Sequence, residues 1–318
     1  MKRVLGLFFL VWVNVSLSGC GSPFAPVILA PADVPVISSP QELPAELCNP
    51  GSGQVLDIVP FWTSYLRICT GEHLDFPKTP EYIDYTFSDF SKDWHYYVYH
   101  RFVQGDIGLI DLRTGKLETL VRKAESFPDA VTFGGVNLAP DGKTIVFQVD
   151  WPHETDLVKM DLETRHMQRL HTNVLITGFN GFDVSKNGEI VVTCGKVSGT
   201  KPVSELCLLD ENGKFIRYLT SEGYPWPGKG YFTPNGEWVV YESRYKLYKV
   251  RIDGSERQEV SPCGWPNEPS ILLDDYLVTY CTTSQKPNCA ALFISKLDGS
   301  DFRRIGYIEP HCEQESQP

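Results

Sequence analysis

Apolar and polar positions in this chain fall into short runs of β-branched and aromatic residues, each launched by a tight polar turn. Five copies of one eight-residue device carry the pattern: Asp93 to His100 (DWHYYVYH), Asp141 to Gln148 (DGKTIVFQ), Asn187 to Cys194 (NGEIVVTC), Asn235 to Glu242 (NGEWVVYE) and Asp274 to Cys281 (DDYLVTYC). Their starts lie 48, 46, 48 and 39 residues apart, a period at which a small antiparallel sheet is repeated around a ring. From residue 82 to 306 each unit shows the same order of parts. An entering strand meets the polar turn, a second strand follows, and a variable loop leads to a third strand with a second turn. Those second turns are Asp111-Leu-Arg-Thr-Gly115, Asp161-Leu-Glu-Thr-Arg165, Asp210-Glu-Asn-Gly213, Ile252-Asp-Gly254 and Leu297-Asp-Gly299. Gly or Asn at such corners supplies the positive φ that a short hairpin requires. A fourth strand then leaves, as in Lys116 to Val121 or Met167 to Leu170. Four short strands per unit, stacked radially, predict an all-β fold built of propeller blades.

Residues 54 to 76 read as a further, incomplete blade, because Thr70-Gly71 repeats the corner at Thr114-Gly115. The expectation is therefore six blades, with a closing strand from Gly306 to Pro310 completing the ring and protecting an edge prone to aggregation. A five-bladed ring with residues 54 to 76 packed outside is the alternative. The propeller is expected over residues 51–310, with a short tail at 311–318.

The phrases Leu138-Ala-Pro-Asp-Gly-Lys-Thr-Ile-Val-Phe147 and Phe232-Thr-Pro-Asn-Gly-Glu-Trp-Val-Val-Tyr241 resemble the S-P-D-G-K-x-I-x-F repeat of TolB-like, or WD-like, β-propellers. Val184-Ser-Lys-Asn-Gly-Glu-Ile-Val-Val192 is a looser match, and Phe90 to Trp94 and Leu273 to Asp275 are looser still. The resemblance covers residues 82 to 306 and implies the fold. It leaves function open, because such propellers serve as periplasmic binding partners, as covers on peptidases and as lyases. The family's corner Gly is Arg165 in one unit.

The N-terminus has the build of an export signal: Lys2 and Arg3, an apolar run from Val4 to Val15, then Leu17-Ser18-Gly19-Cys20. The apolar run is too short for a spanning helix. Leu17-Ser18-Gly19-Cys20 resembles the lipobox of bacterial lipoproteins, which implies cleavage after Gly19 and lipidation of Cys20. Gly21 in place of an aspartate implies the outer membrane where the host has two. Seven prolines between Gly21 and Pro50 make residues 20–50 a stiff tether, with a reach of up to about 90 Å at roughly 3 Å per residue.

Eight cysteines follow Cys20, an even number in an exported chain, so disulfides are expected rather than thiol chemistry. Cys194 and Cys281 occupy the same slot of the repeated device, and Cys207 and Cys289 stand at the starts of the next strands, so Cys194–Cys207 and Cys281–Cys289 are the expected bonds. Cys48, Cys69, Cys263 and Cys312 allow three pairings. Removal of Lys2 and Arg3 leaves 27 basic against 40 acidic residues, a surface that repels phosphate backbones, so no nucleic-acid partner is expected.

Chemistry is sparse. Gly223 to Lys229 fits G-x-x-x-x-G-K, but Gly230 replaces the Ser or Thr that would hold magnesium, and Pro225 and Pro227 lack the N–H groups a phosphate cradle needs. No C-x-x-C, H-E-x-x-H or G-x-S-x-G is present, so neither metal nor cofactor is expected, nor a peptidase. Trp151-Pro152-His153 lies in a second-to-third strand loop, and Trp226 and Trp265, each followed by proline, lie in between-blade connections. Phe127, His171 and Asn180 come from equivalent connections, so all of these residues are expected on one rim. Aromatic residues there would supply contact area for a protein or glycan of the cell envelope. The competing expectation packs the rings inward between blades. The function read from these features is a lipid-anchored, non-enzymatic envelope-binding module. The alternative is a polysaccharide lyase or hydrolase with a His and carboxylate site at the channel mouth.

Overall fold

A computed structural model describes residues 34–37, 42–43, 58–61, 64–67, 73–75, 84–91, 95–101, 105–177, 182–198, 201–221, 228–244, 246–261, 271–272, 275–282 and 290–307. Each polar turn of the repeated device lies between the first and second strands of an antiparallel sheet. Strands β1 (Ile58–Phe61), β2 (Ser64–Arg67) and β3 (His73–Asp75) form a three-stranded sheet of their own. The first blade holds β4 (Asp84–Phe90), β5 (Tyr96–Arg101), β6 (Asp106–Asp111) and β7 (Lys116–Val121). The second holds β8 (Thr132–Leu138), β9 (Thr144–Asp150), β10 (Thr155–Asp161) and β11 (Met167–Leu170). The third consists of β12 (Phe182–Val184), β13 (Ile190–Ser198), β14 (Lys201–Leu209) and β15 (Phe215–Tyr218). The fourth consists of β16 (Gly230–Phe232), β17 (Trp238–Ser243), β18 (Lys246–Arg251) and β19 (Gln258–Ser261). The fifth is β20 (Ile271–Leu272), β21 (Tyr276–Thr282), β22 (Ala290–Lys296) and β23 (Arg303–Tyr307).

The described residues thus contain five four-stranded blades, and the expectation of six is corrected. Thr70-Gly71 mimics a blade corner in sequence, but β1 to β3 gain no fourth strand among the described residues. Of the stretch expected to close the ring, Gly306 and Tyr307 instead end β23, the outermost strand of the fifth blade, which pairs with β22; residues 308–310 lie outside the described residues. The free edge of β23 is covered by a segment near the N-terminus. The Ile37 N–H donates to the Arg304 carbonyl and the Arg304 N–H to the Pro35 carbonyl, each at 2.8 Å, and Val36 bridges Arg304 in parallel. Ile37 and Leu43 are buried, and the Arg303 guanidinium donates to the Glu42 carbonyl at 3.0 Å. No helix among the described residues is long and apolar enough to cross a membrane.

The core lies between blades. Val98, Ile107 and Val121 of the first blade pack with Phe133, Phe147 and Val158 of the second. In the third blade, Ile190 and Val192 face the second while Val191 faces the fourth. Successive strand residues point to opposite faces, and here both faces are covered, so the device reads as a continuous apolar run rather than as strict alternation. The first strands β4, β8, β12 and β16 approach one another in that order, which is how the innermost strands of radially stacked sheets surround an axis. Their pairing with the second strands is interrupted, between Asp84 and Asp89 in β4 and between Phe133 and Val136 in β8. In the third blade Ile176 pairs with Cys194, and Phe182 pairs with Val192.

Candidate functional site

Where the first strands converge, the sequence register places a polar side chain in three successive blades. Asp89, Asn137 and Asp183 each stand four residues before the first residue of an octapeptide, and Tyr231 holds that position in the fourth blade. The carboxylates link neighbouring blades. Asp89 Oδ2 accepts the Leu138 N–H at 2.8 Å, and Asp183 Oδ2 accepts the Phe232 N–H at 2.7 Å. Asp183 Oδ1 accepts its neighbour Val184 N–H at 2.8 Å and the Asn137 Nδ2 at 3.1 Å. Asn137 itself is 2% exposed, and its Oδ1 finds no donor among the described residues.

Burial pushes the Asp89 carboxyl up to about 6, with the Asp183 charge adding to the rise and Lys229 and the Leu138 N–H opposing it. Asp183 is also raised, again chiefly by burial, against the pull of Lys229 and the backbone donors. Lys229 reaches both carboxylates through its field alone: its ammonium lies over the Tyr231 ring, 4.5 Å from the centroid, and the ion pairs of the described residues do not include it. The arrangement is an axial cluster rich in acceptors and short of donors. Nothing in the loops signalled it. The available signal was repetition: a polar residue recurring at one register position of an otherwise apolar strand.

The second region is the rim formed by the between-blade connections. Phe127 packs edge-on against Phe133, Phe147 and Trp151, with centroids 5.6, 5.9 and 6.1 Å apart. Trp151 is half-buried, carries the Arg169 guanidinium 4.6 Å over its ring, and has a buried Nε1 with no acceptor among the described residues. Arg169 also pairs with Glu154 and with the buried Asp156, whose Oδ2 lies 3.6 Å from His171 Nδ1. Arg169 therefore meets Trp151 directly, with Phe127 against Trp151 and His171 reached through Asp156; His153 is exposed on the adjoining loop, and two apolar side chains nearby in sequence stand in the open. Val131 and Leu175, which precede the first strands of the second and third blades, are 62% and 67% exposed. Trp226, Trp265, Asn180, Cys20 and Cys289 lie outside the described residues. The Cys194–Cys207 bond is present, with Cα atoms 5.9 Å apart, and Cys281 is disulfide-bonded. Among the described residues no three His, Cys, Asp or Glu side chains converge as a metal site.

No family model and no curated protein sequence matches the chain. Solved structures do. TolB from Acinetobacter baumannii aligns with a TM-score of 0.57 and 20% identity, over 76% of this chain and 58% of that one. The fold is that of a TolB-like propeller. A propeller in a nidogen/laminin complex aligns at 0.55 and 14% identity, over 79% of this chain and 90% of that one. The oligogalacturonate lyase of Vibrio parahaemolyticus aligns at 0.50 and 13%, over 77% and 70%. This chain spans a little over half the length of the Acinetobacter TolB chain. At these identities the likeness belongs to the propeller itself and not to a shared chemistry.

Proposed function

We propose that this chain is a lipid-anchored propeller of the cell envelope that binds a protein, or another envelope component, on the rim of its between-blade connections. The observation that carries this reading is the exposure of Val131 and Leu175 on successive connections of one rim, beside the Phe127, Trp151 and Arg169 cluster. Aliphatic side chains left two-thirds open on a folded surface mark contact sites when they gather at one face. Cys20 is the proposed site of the lipid, and the sequence assigns Trp226 and Trp265 to further between-blade connections. The nidogen/laminin complex among the similar folds, an assembly of proteins, supports the reading.

Crosslinking in the native host tests it. Val131→Asp and Leu175→Asp are expected to weaken capture of the crosslinked envelope partner about tenfold or more, the scale of an interface hot spot, with thermal stability unchanged because both side chains are exposed. Undiminished capture in both variants would sink the rim assignment. Cys20→Ser is expected to move the protein from the membrane fraction to the soluble one.

The second reading, a lyase or hydrolase acting on a polysaccharide, draws support from the His171 and Asp156 pair and from the lyase among similar folds. Incubation with acidic and neutral polysaccharides, followed by assays for unsaturated products and new reducing ends, separates the two. Turnover lost in His171→Ala would favour the enzyme.

A further inference from the structure

The first, second and fourth blades make the same polar turn. In it the Ser91, Ala139 and Thr233 N–H groups donate to the carbonyls of Tyr96, Thr144 and Trp238 at 2.9, 2.8 and 3.0 Å. These three residues also pair with the last residue of the third strand, Asp111, Asp161 and Arg251. They therefore hold one position of the blade. In two blades that position carries an aromatic ring with a cation over it. The Arg113 guanidinium lies 5.4 Å from the Tyr96 centroid, and the Lys249 ammonium lies 4.4 Å from the Trp238 centroid. The second blade keeps the cation and lacks the ring. Its Lys159 pairs with Val146 as Lys249 pairs with Val240, and it has no hydrogen bond, ion pair or ring contact among the described residues.

Where the ring is missing, a recess of about 70 Å³ opens between the second and third blades. Thr144, Val146, Lys159 and Leu170 line it from one side, and Val184 and Ile190 from the other. The four aliphatic residues belong to the buried core between these blades, so the recess has an apolar floor and one uncommitted cation in its wall. We infer that it is a docking slot for an aromatic side chain of a protein partner, seated against Lys159 as Trp238 is seated against Lys249. The fourth blade displays the fit, since a cation over an aromatic face is attractive, most of all over tryptophan. Volume selects a side chain over a free small molecule. The recess is smaller than the roughly 150 Å³ cavity that encloses benzene, so a ring enters it only in part and needs further contacts from the chain that carries it. Charge selects the flanking residues. Asp141 and Glu211, both exposed, stand at the mouth, while the stem of Lys186 lies against Gly236 of the fourth blade. A basic residue beside the aromatic one is therefore favoured. The slot opens at the polar-turn end of the blades, opposite the rim of between-blade connections, and does not depend on the reading of that rim.

The test uses the full mature chain with its disulfides intact and the end-blocked peptide Gly-Lys-Trp-Lys-Gly. Saturation-transfer NMR is expected to show contact between the protein and the indole protons, with a dissociation constant of about 1 mM or tighter. Thr144→Trp fills the slot from within and is expected to weaken binding about tenfold or more, with the thermal midpoint held because the fourth blade makes the same turn around Trp238. Lys159→Met keeps the apolar stem and removes the charge. Its preference for this peptide over Gly-Lys-Leu-Lys-Gly is expected to fall two- to fivefold, the scale of an exposed cation–π contact at about 0.5–1 kcal/mol. Comparing the two peptides cancels any change in long-range charge. Val131→Asp, on the opposite face, is expected to bind as wild type does. The inference is overturned if wild type shows no transfer at ten times the expected dissociation constant, if Thr144→Trp folds and binds unchanged, or if Lys159→Met keeps its full preference for tryptophan. Loss of binding in Val131→Asp would place the peptide on the rim and overturn it equally. Where Thr144→Trp does not fold, the Lys159→Met comparison decides alone.

Discussion

Arg165 occupies a corner where its counterpart in the first blade is Gly115, and the two share a left-handed backbone, at φ 61° and 69°. A side chain there costs about 1 kcal/mol or more, and the exposed Arg165 and Glu118 pair offsets little of it. Arg165→Gly is expected to be neutral or stabilising by up to about 1 kcal/mol, and Gly115→Arg destabilising by a similar amount, as read by urea unfolding. The same class of turn tunes its carboxylates. Asp111, Asp161, Asp253 and Asp298 are all held below the usual range, by the Arg113 guanidinium, the Thr164 N–H, the Ser255 hydroxyl and the Ser300 hydroxyl respectively. A lowered carboxyl contributes stability above its ordinary value, near 3.9, that is lost as pH falls through the folded value. The stability gap between wild type and Asp161→Ala should therefore shrink below about pH 4. A gap that widens on acidification would contradict the assignment. These turns were legible in sequence because Asp and Gly at fixed offsets encode them locally. The axial aspartates were not, because the same residue type becomes a site only when three strands distant in sequence present it to one axis.

The strands following the polar turns were legible for the same local reason, and their double-sided burial explains why they lack a polar face. Phe147, fully buried, meets Phe127 and Phe133 across the first inter-blade core. Phe147→Ala is expected to cost about 3–5 kcal/mol, and a fall in the denaturation midpoint with an unchanged slope would show it. The third blade adds a covalent brace between its second and third strands. Cys207 follows Cys194 by thirteen positions, and a loop of that order constrains the unfolded chain by about 3 kcal/mol. Non-reducing peptide mapping should recover these two cysteines linked, and reduction should lower the thermal midpoint. The blade count was misread because a Thr-Gly corner is a local mark, whereas a blade exists only when four strands find one another.

At the scale of the whole molecule, the outer edge of the fifth blade is covered by the segment around Ile37, which no local pattern announced. Its extended backbone pairs with β23, and pairing of this kind depends on where the last blade ends rather than on the residues of the segment. Ile37→Asp puts a charge where an apolar side chain is buried and frees the edge of the fifth blade. A loss of about 1.5–3 kcal/mol is expected from the burial alone, together with concentration-dependent association through the uncovered strand, measurable by light scattering. If the variant stays as stable and as dispersed as wild type, the segment does not hold the edge.

With Cys20 lipidated as proposed, that pairing also decides where the molecule is moored. The chain leaves the ring beside Arg304, so tension transmitted along the leash from the bilayer would be borne by the fifth blade, at the far end of the sequence from the leash itself. A pull on the propeller from the opposite side would then load the two hydrogen bonds between residues 35–37 and Arg304 first, making that pairing the mechanical fuse of the anchor.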